Sequence, residues 1–203
     1  MHNVAGEKNY EAYKLEEFED AHLTPEGDAQ CEAFIEKYSQ NTVETSADLL
    51  VVSPMRRTLS TATQCFPELV GKVRWLAHEM IREMAGGHPC DRRRPISEHR
   101  ESYPHVDFAQ VEDDEDPLYY LTGGDRETEE SVTARAYVFF NWLKTRSERE
   151  IVVVTHSAFL RNIFNTVLQV NLEHEEKRCG VFRNCEMKSY HILFENNSAP
   201  VFN

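Results

Sequence analysis

Two segments of the sequence place reactive side chains directly after short apolar runs. Residues 49–52 (LLVV) lead into residues 53–57 (SPMRR), and residues 151–154 (IVVV) lead into residues 155–157 (THS). Arginines in the first turn of a helix suit a phosphate or carboxylate ligand, because the guanidinium groups and the helix amides converge on an oxyanion. A histidine at a strand end can stabilise charge or transfer protons near neutral pH. The alternatives are a solvent-facing arginine pair and a hydrogen-bonded structural histidine.

Other motifs for metal or nucleotide chemistry are incomplete. Residues 78–82 (HEMIR) begin like a zinc-binding HExxH helix, but Arg82 stands where the second histidine is needed. His88 and Cys90 are two potential metal ligands without a second pair, and ordinary loop residues are expected there. The sequence holds no Walker A loop, no GxGxxG and no GxSxG, so a serine hydrolase using Ser157 is only a third interpretation. We expect neither a metal nor a cofactor.

The composition is that of an ordinary globular domain. The 203 residues are 40% hydrophobic and 28% charged, which predicts one domain over residues 1–203. A formal net charge of -13 repels nucleic acid and anionic lipid, so neither is an expected partner. The cysteines form no C-x-x-C pair, and no signal peptide or membrane-spanning apolar run is present, which together favour the reducing cytoplasm or nucleus.

The apolar pattern predicts the elements that position these motifs. Helices are expected over residues 25–40, 55–66, 128–146 and 157–168, and strands over 49–52, 73–77, 150–155 and 189–195. Residues 1–23 should be irregular with one short helical turn. Residues 84–121 are polar and proline-rich, and we expect an irregular insertion over the active-site end. Alternating strands and helices predict an α/β fold, with a mostly parallel sheet and helices on both faces.

Four segments, taken in order, resemble the histidine phosphatase superfamily in its phosphoglycerate mutase-like branch. They are residues 23–30 (LTPEGDAQ), 52–62 (VSPMRRTLSTA), 82–83 (RE) and 153–157 (VVTHS). Residues 90–93 (CDRR), together with Glu130, Ser131 and Arg135, resemble the plant and fungal members of that branch.

The resemblance implies a role for each matching residue. Arg57 matches the arginine that holds the phosphoryl group, Glu83 the acid that protonates the leaving oxygen, and His156 the second active-site histidine, which stabilises the transferring group. Asn3 matches the asparagine that ends the family's first motif, R-H-G-x-x-x-x-N or its R-H-A variant, and Ser157 is assigned to substrate binding. A small-molecule phosphomonoester or a phosphoprotein would then react through a phosphohistidine, without a metal.

The sequence departs from the family in its first motif. The arginine and the nucleophilic histidine of that motif are missing, and so is the apolar strand that the family places in the centre of its sheet. We therefore expect an N-terminally truncated or misassigned sequence, with open strand edges and without turnover as written, since His2 lies at the wrong motif position to substitute. The alternative is a noncatalytic protein that binds a phospholigand or a partner. The substrate, the choice between mutase and phosphatase, and the oligomeric state stay open.

Overall fold

The computed structural model describes residues 9–38, 46–169 and 182–194. Residues 9–23 form an irregular lead-in, as the sequence predicts, but with two short 3-10 turns, Tyr10–Lys14 and Glu16–Phe18, where one was expected. Residues 1–8 of the predicted lead-in lie outside the described residues. The main elements then follow in the order α1 (Pro25–Tyr38), β1 (Leu49–Val52), α2 (Arg56–Cys65), β2 (Arg74–His78), α3 (Ile96–Ser102), β3 (Asp107–Gln110), α4 (Pro117–Leu121), α5 (Glu129–Lys144), β4 (Ile151–Val154) and α6 (Ser157–Thr166).

The four strands form one parallel sheet in the order β3-β2-β1-β4. β1 lies in the interior and pairs with β2 and β4 in continuous register, so that Leu49 is opposite both Arg74 and Ile151. All four residues of β1 are fully buried, as its unbroken apolar sequence predicts for a strand covered on both faces. Within the described ranges β4 is the sheet edge, and its Val153 is exposed.

Helices cover both faces of the sheet, which confirms the predicted α/β class. One core joins Leu50 and Val52 of β1 to α1, α2 and α3, and the other joins Leu49 and Val51 to α5 and α6. Residues 182–194 contact both cores, since Phe182 packs against the second and Met187 against the first. This segment therefore crosses the edge of the sheet on the β4 side. None of the helices in the described ranges is both long and apolar enough to span a membrane.

Two of the four predicted helix starts are confirmed by side-chain caps. Thr24 Oγ1 accepts a hydrogen bond from the Gly27 amide at 3.2 Å where α1 begins, and Thr128 Oγ1 accepts one from the Ser131 amide at 3.2 Å where α5 begins. Such bonds satisfy amides that have no partner inside the helix. Residues 39 and 40 of the first predicted helix lie outside the described residues.

Two predictions from the hydrophobic pattern were wrong. Residues 84–121 are not irregular throughout, because they contain α3, α4 and the edge strand β3. β3 has the sequence DFAQ, whose only large apolar residue is Phe108, and so it lacks the β-branched run that marks a strand. Residues 189–194 form no strand; Tyr190 packs against Phe164 of α6, with 5.0 Å between ring centroids. Residue 195 lies outside the described ranges.

Candidate active site

The carboxyl ends of β1 and β4 bring the two reactive motifs together. These strands are parallel neighbours, so the residues that follow them meet at one edge of the sheet. His156 Nε2 lies 2.8 Å from Ser53 Oγ, and Arg57 Nε donates to His156 Nδ1 at 3.4 Å. With Nδ1 accepting, a neutral imidazole carries its proton on Nε2 and donates it to Ser53. Arg57 and His156 thus form one polar cluster.

The Glu83 carboxylate lies against the first turn of α6, which directly follows His156 in the chain. Its Oε1 accepts from the Phe159 amide at 3.1 Å, and its Oε2 faces the Ala158 amide at 3.4 Å. A carboxylate at this position is favoured by the positive end of the helix dipole. The first-turn amides of α6 are therefore directed at Glu83, which leaves the side chains as the main donors for an external anion.

The loop that carries Glu83 is held from α5 by a buried arginine. Arg135 donates to the carbonyl oxygens of Met80 and Arg82 at 2.8 Å and of Glu83 at 3.0 Å. Its guanidinium also forms two hydrogen bonds with Glu127, at 2.8 and 2.9 Å, and the Glu127 carboxylate accepts from the Ala85 amide at 3.0 Å. A planar guanidinium can satisfy several carbonyls at once, and this fixes the backbone at Glu83.

The Asp91 carboxyl group and the Cys90 carbonyl also contact Arg57, and neither of them was assigned a role from the sequence. Asp91 Oδ1 lies 3.6 Å from Arg57 Nη2, and Asp91 Oδ2 lies 3.2 Å from Arg126 Nη1. Burial raises the pKa of Asp91, although the two arginines act in the opposite direction. Arg57 Nη1 also donates to the Cys90 carbonyl at 2.8 Å. The only sequence signal was the CDRR resemblance at residues 90–93, which carried no chemical assignment.

The remaining candidates make no side-chain contact with Arg57 in the described structure. The Arg56 amide donates to Asp20 at 2.8 Å, and its guanidinium lies 2.8 Å from His22 and 3.6 Å from Glu98, so the expectation that both arginines face one anion is not met. Ser157 is exposed at the first position of α6 and lines the same cleft as Arg57. Asn3 lies outside the described residues, as does His2.

The cluster opens into a large cleft. The cleft has a volume of about 1350 Å³, and its polar wall includes Arg57, Glu83, Asp91, Arg126 and His156. Two guanidinium groups and an imidazole offer donors to a tetrahedral oxyanion, while two carboxyl groups offer sites for a proton.

The chain also matches a known protein family. The family model described as "Histidine phosphatase superfamily (branch 1)" matches residues 6–198. The chain belongs to this superfamily. It is similar to "Phosphoglycerate mutase-like protein" of Arabidopsis thaliana, with 34% identity over 97% of this chain and 82% of the relative. "Phosphoglycerate mutase-like protein 1" of the same plant is 36% identical over 95% of this chain and 77% of its own length.

Superfamily membership confirms the resemblance found in the sequence. Arg57, Glu83 and His156 all fall within the matched range, whereas Asn3 precedes it. The parallel sheet, with helices on both faces, is consistent with the phosphoglycerate mutase-like fold that the resemblance implies.

Proposed function

We propose that this histidine phosphatase binds a phosphomonoester at the carboxyl ends of β1 and β4, with Arg57 as its principal clamp. The observation that carries the proposal is that Arg57 lies between His156 and Asp91, 3.4 and 3.6 Å from them. A phosphoryl group that enters there replaces Asp91 as the partner of Arg57 and Arg126. Its oxygens then accept the hydrogen bonds that these side chains otherwise make with other protein groups.

The family's chemistry divides the transfer into two steps. A histidine nitrogen attacks phosphorus while the bond to the leaving oxygen breaks, and that oxygen takes a proton; water or a second substrate then receives the phosphoryl group. We assign Arg57 and His156 to stabilisation of charge on the phosphoryl oxygens, and Glu83 to protonation of the leaving oxygen. Asn3 and Ser157 are proposed to contact the substrate.

The 203-residue sequence has no Arg-His pair, so none of its residues matches the nucleophile. We propose that the 203-residue chain binds phosphomonoesters without turning them over, and that catalysis needs an apolar strand ending in Arg-His-Gly or Arg-His-Ala ahead of it. The second candidate is a noncatalytic protein in which Arg57 and His156 bind a phospholigand. Free thiols at the described cysteines favour action in a reducing compartment such as the cytoplasm.

Anion binding tests the proposed site directly. Phosphate or vanadate at about 100 times its dissociation constant stabilises the native state by about 2.7 kcal/mol, which for a chain of this size raises Tm by roughly 5–11 °C. Arg57→Ala should abolish the shift. Arg56→Ala is the matched control and should keep it, because Arg56 contacts Asp20, His22 and Glu98. Equal shifts in the wild type and Arg57→Ala would place the anion elsewhere.

Turnover separates the two candidate functions. The 203-residue chain should not hydrolyse para-nitrophenyl phosphate, and robust hydrolysis would overturn the assignment of roles. A chain extended with the apolar strand and Arg-His-Gly should regain hydrolysis if the protein is an enzyme. Retained vanadate binding without hydrolysis in the extended chain would favour the noncatalytic alternative.

A further inference from the structure

Three cysteines from separate segments meet at the end of α2 opposite the anion site. Cys31 belongs to α1, Cys65 is the last residue of α2, and Cys185 comes from the 182–194 segment. Their sulfur atoms all lie within 4.8 Å of one another, and Cys31 and Cys185 are 3.9 Å apart. Arg57 and Cys65 are separated by roughly 12 Å along α2, since a helix rises about 1.5 Å per residue.

The 3.9 Å between the Cys31 and Cys185 sulfurs is the separation of two thiolates on one metal ion, and Cys65 lies within 4.8 Å of both. A thiolate bound to zinc lies about 2.3 Å from the ion, so two sulfurs of one site are about 3.8 Å apart in a tetrahedron and about 4.0 Å apart in a trigonal plane. A disulfide requires about 2.05 Å, and the pair at 3.9 Å would have to approach by about 1.9 Å to form one.

The surroundings select a thiophilic ion. Cys31 and Cys65 are 1% and 2% exposed and belong to the core between the sheet and α1, α2 and α3. Among the described residues, the ligand group consists of sulfur alone, with no imidazole or carboxylate oxygen in it. Soft thiolates prefer d¹⁰ ions such as Zn²⁺ and Cu(I) over Mg²⁺ or Ca²⁺, which take oxygen ligands.

Cys185 is held towards the other two thiols by its own turn. Its φ of 53° is unusual for a residue with a side chain, and such backbone persists where its surroundings fix it. The turn is closed by the Arg183 amide, which donates to Glu186 at 2.8 Å. Phe182, three residues earlier, packs against Phe164 of α6, with 5.7 Å between ring centroids. Cys65 and Cys185 both line the cleft, which gives an ion access from solvent.

We propose that Cys31, Cys65 and Cys185 bind one thiophilic metal ion and thereby fasten the 182–194 segment to α1 and α2. Each thiol releases its proton to solvent as it becomes a ligand, so binding weakens as the pH falls. The ion has a structural role here, because the three sulfurs lie at the far end of α2 from Arg57.

The test uses the reduced, metal-free chain. Zn²⁺ is titrated in competition with a chromophoric chelator, and Cu(I) is titrated separately under anaerobic conditions. One of the two ions should bind with one equivalent per chain. Residues that merely orient a ligand contribute about 10- to 100-fold to metal affinity, so Cys185→Ser should weaken binding by at least about 100-fold. Cys185 is half-buried and follows the last described helix, so this variant should keep the fold.

Cys90→Ser is the matched control, because Cys90 is a buried cysteine outside the cluster and its loss should leave the stoichiometry unchanged. Cobalt provides a second readout: thiolate-to-cobalt charge-transfer absorption should appear in the wild type and fall in Cys185→Ser. Equal affinity in the wild type and Cys185→Ser would overturn the proposal. The proposal would also be overturned if the reduced chain bound neither ion and if mild oxidation then removed two hydrogens from its mass by forming a Cys31–Cys185 disulfide.

Discussion

Replacing Arg135 by methionine removes the group that joins α5 to the Glu83 loop. The guanidinium donates to three loop carbonyls and forms two hydrogen bonds with Glu127. The Arg135 and Glu127 side chains are 6% and 2% exposed, so methionine would leave the carboxylate buried without its counter-charge. Breaking a buried ion pair by removing one partner destabilises a protein by about 3–5 kcal/mol.

That loss is large enough to measure by calorimetry and urea unfolding. In a chain of 150–250 residues, 1 kcal/mol corresponds to about 2–4 °C in Tm, so Arg135→Met should lower Tm by roughly 6–20 °C. The double variant Arg135→Met/Glu127→Gln should recover part of the loss, because the amide oxygen of glutamine still accepts from the Ala85 amide but carries no charge.

The pH dependence of the stability lost in Arg135→Met shows whether the ion pair with Glu127 is the cause. Burial raises the pKa of Glu127, but the hydrogen bond and charge of Arg135 outweigh it and lower the pKa overall. The pair's contribution is therefore present above the ordinary glutamate pKa of about 4.3 and is lost as the pH falls below it. The stability gap between the wild type and Arg135→Met should shrink in acid. A gap independent of pH, or a double variant no more stable than the single one, would refute the reasoning.

Three further predictions concern other parts of the molecule. In a chain that carries the Arg-His-Gly motif, Glu83→Gln should reduce kcat/KM for an alkyl phosphate by about 10²–10⁴-fold. The loss for para-nitrophenyl phosphate should be much smaller, because its leaving group needs no proton. Equal losses for the two substrates would point to Asp91 as the acid. Gly86→Ala should lower Tm more than Gly123→Ala, because a Cβ added at Gly86 would overlap the Asp125 carbonyl oxygen whereas one added at Gly123 would meet nothing within 4 Å. Equal losses would contradict this. Burial lowers the pKa of His78 to about 4. Between about pH 4 and 6.5 the unfolded chain therefore binds more protons than the folded chain, so the stability rises with pH in that range. His78→Phe should flatten this rise when stability is measured by urea unfolding, and an unchanged slope would assign it to another group.

The sequence was most informative where reactive residues directly follow an apolar strand. Arg57 and His156 could be placed at one edge of the sheet because parallel strands end at the same edge, and the structure adds that their two strands are neighbours. Asp91 and Arg126 could not, because the contact of Asp91 with Arg57 and that of Arg126 with Asp91 depend on the paths of loops without hydrophobic periodicity. Arg56, adjacent to Arg57, was misplaced because spacing alone does not show which way a first-turn side chain points.

Side-chain chemistry spread over long distances in sequence was the least predictable. Cys31, Cys65 and Cys185 have no ligand spacing, since metal motifs are recognised by cysteines two to four residues apart. β3 was missed for a related reason: its register with β2 shifts between Leu76 and His78, and its four residues show no alternation. The cysteine cluster and β3 depend on how the helices and strands pack together. The sequence pattern indicates most of these elements but does not show which of them are in contact.

The interior position of β1 also sets the order in which the sheet can assemble. β1 pairs with β2 across 25 positions of chain and with β4 across 102, as the registers of Leu49 with Arg74 and Ile151 require. Loop-closure entropy grows with the logarithm of length, so the β4 contact starts at a disadvantage of about 1.2 kcal/mol. During synthesis β1 and β2 can associate while β4 has not yet been made. His156 therefore joins Ser53 and Arg57 late, and the contact between His156 and Arg57 forms only after β4 has emerged from the ribosome.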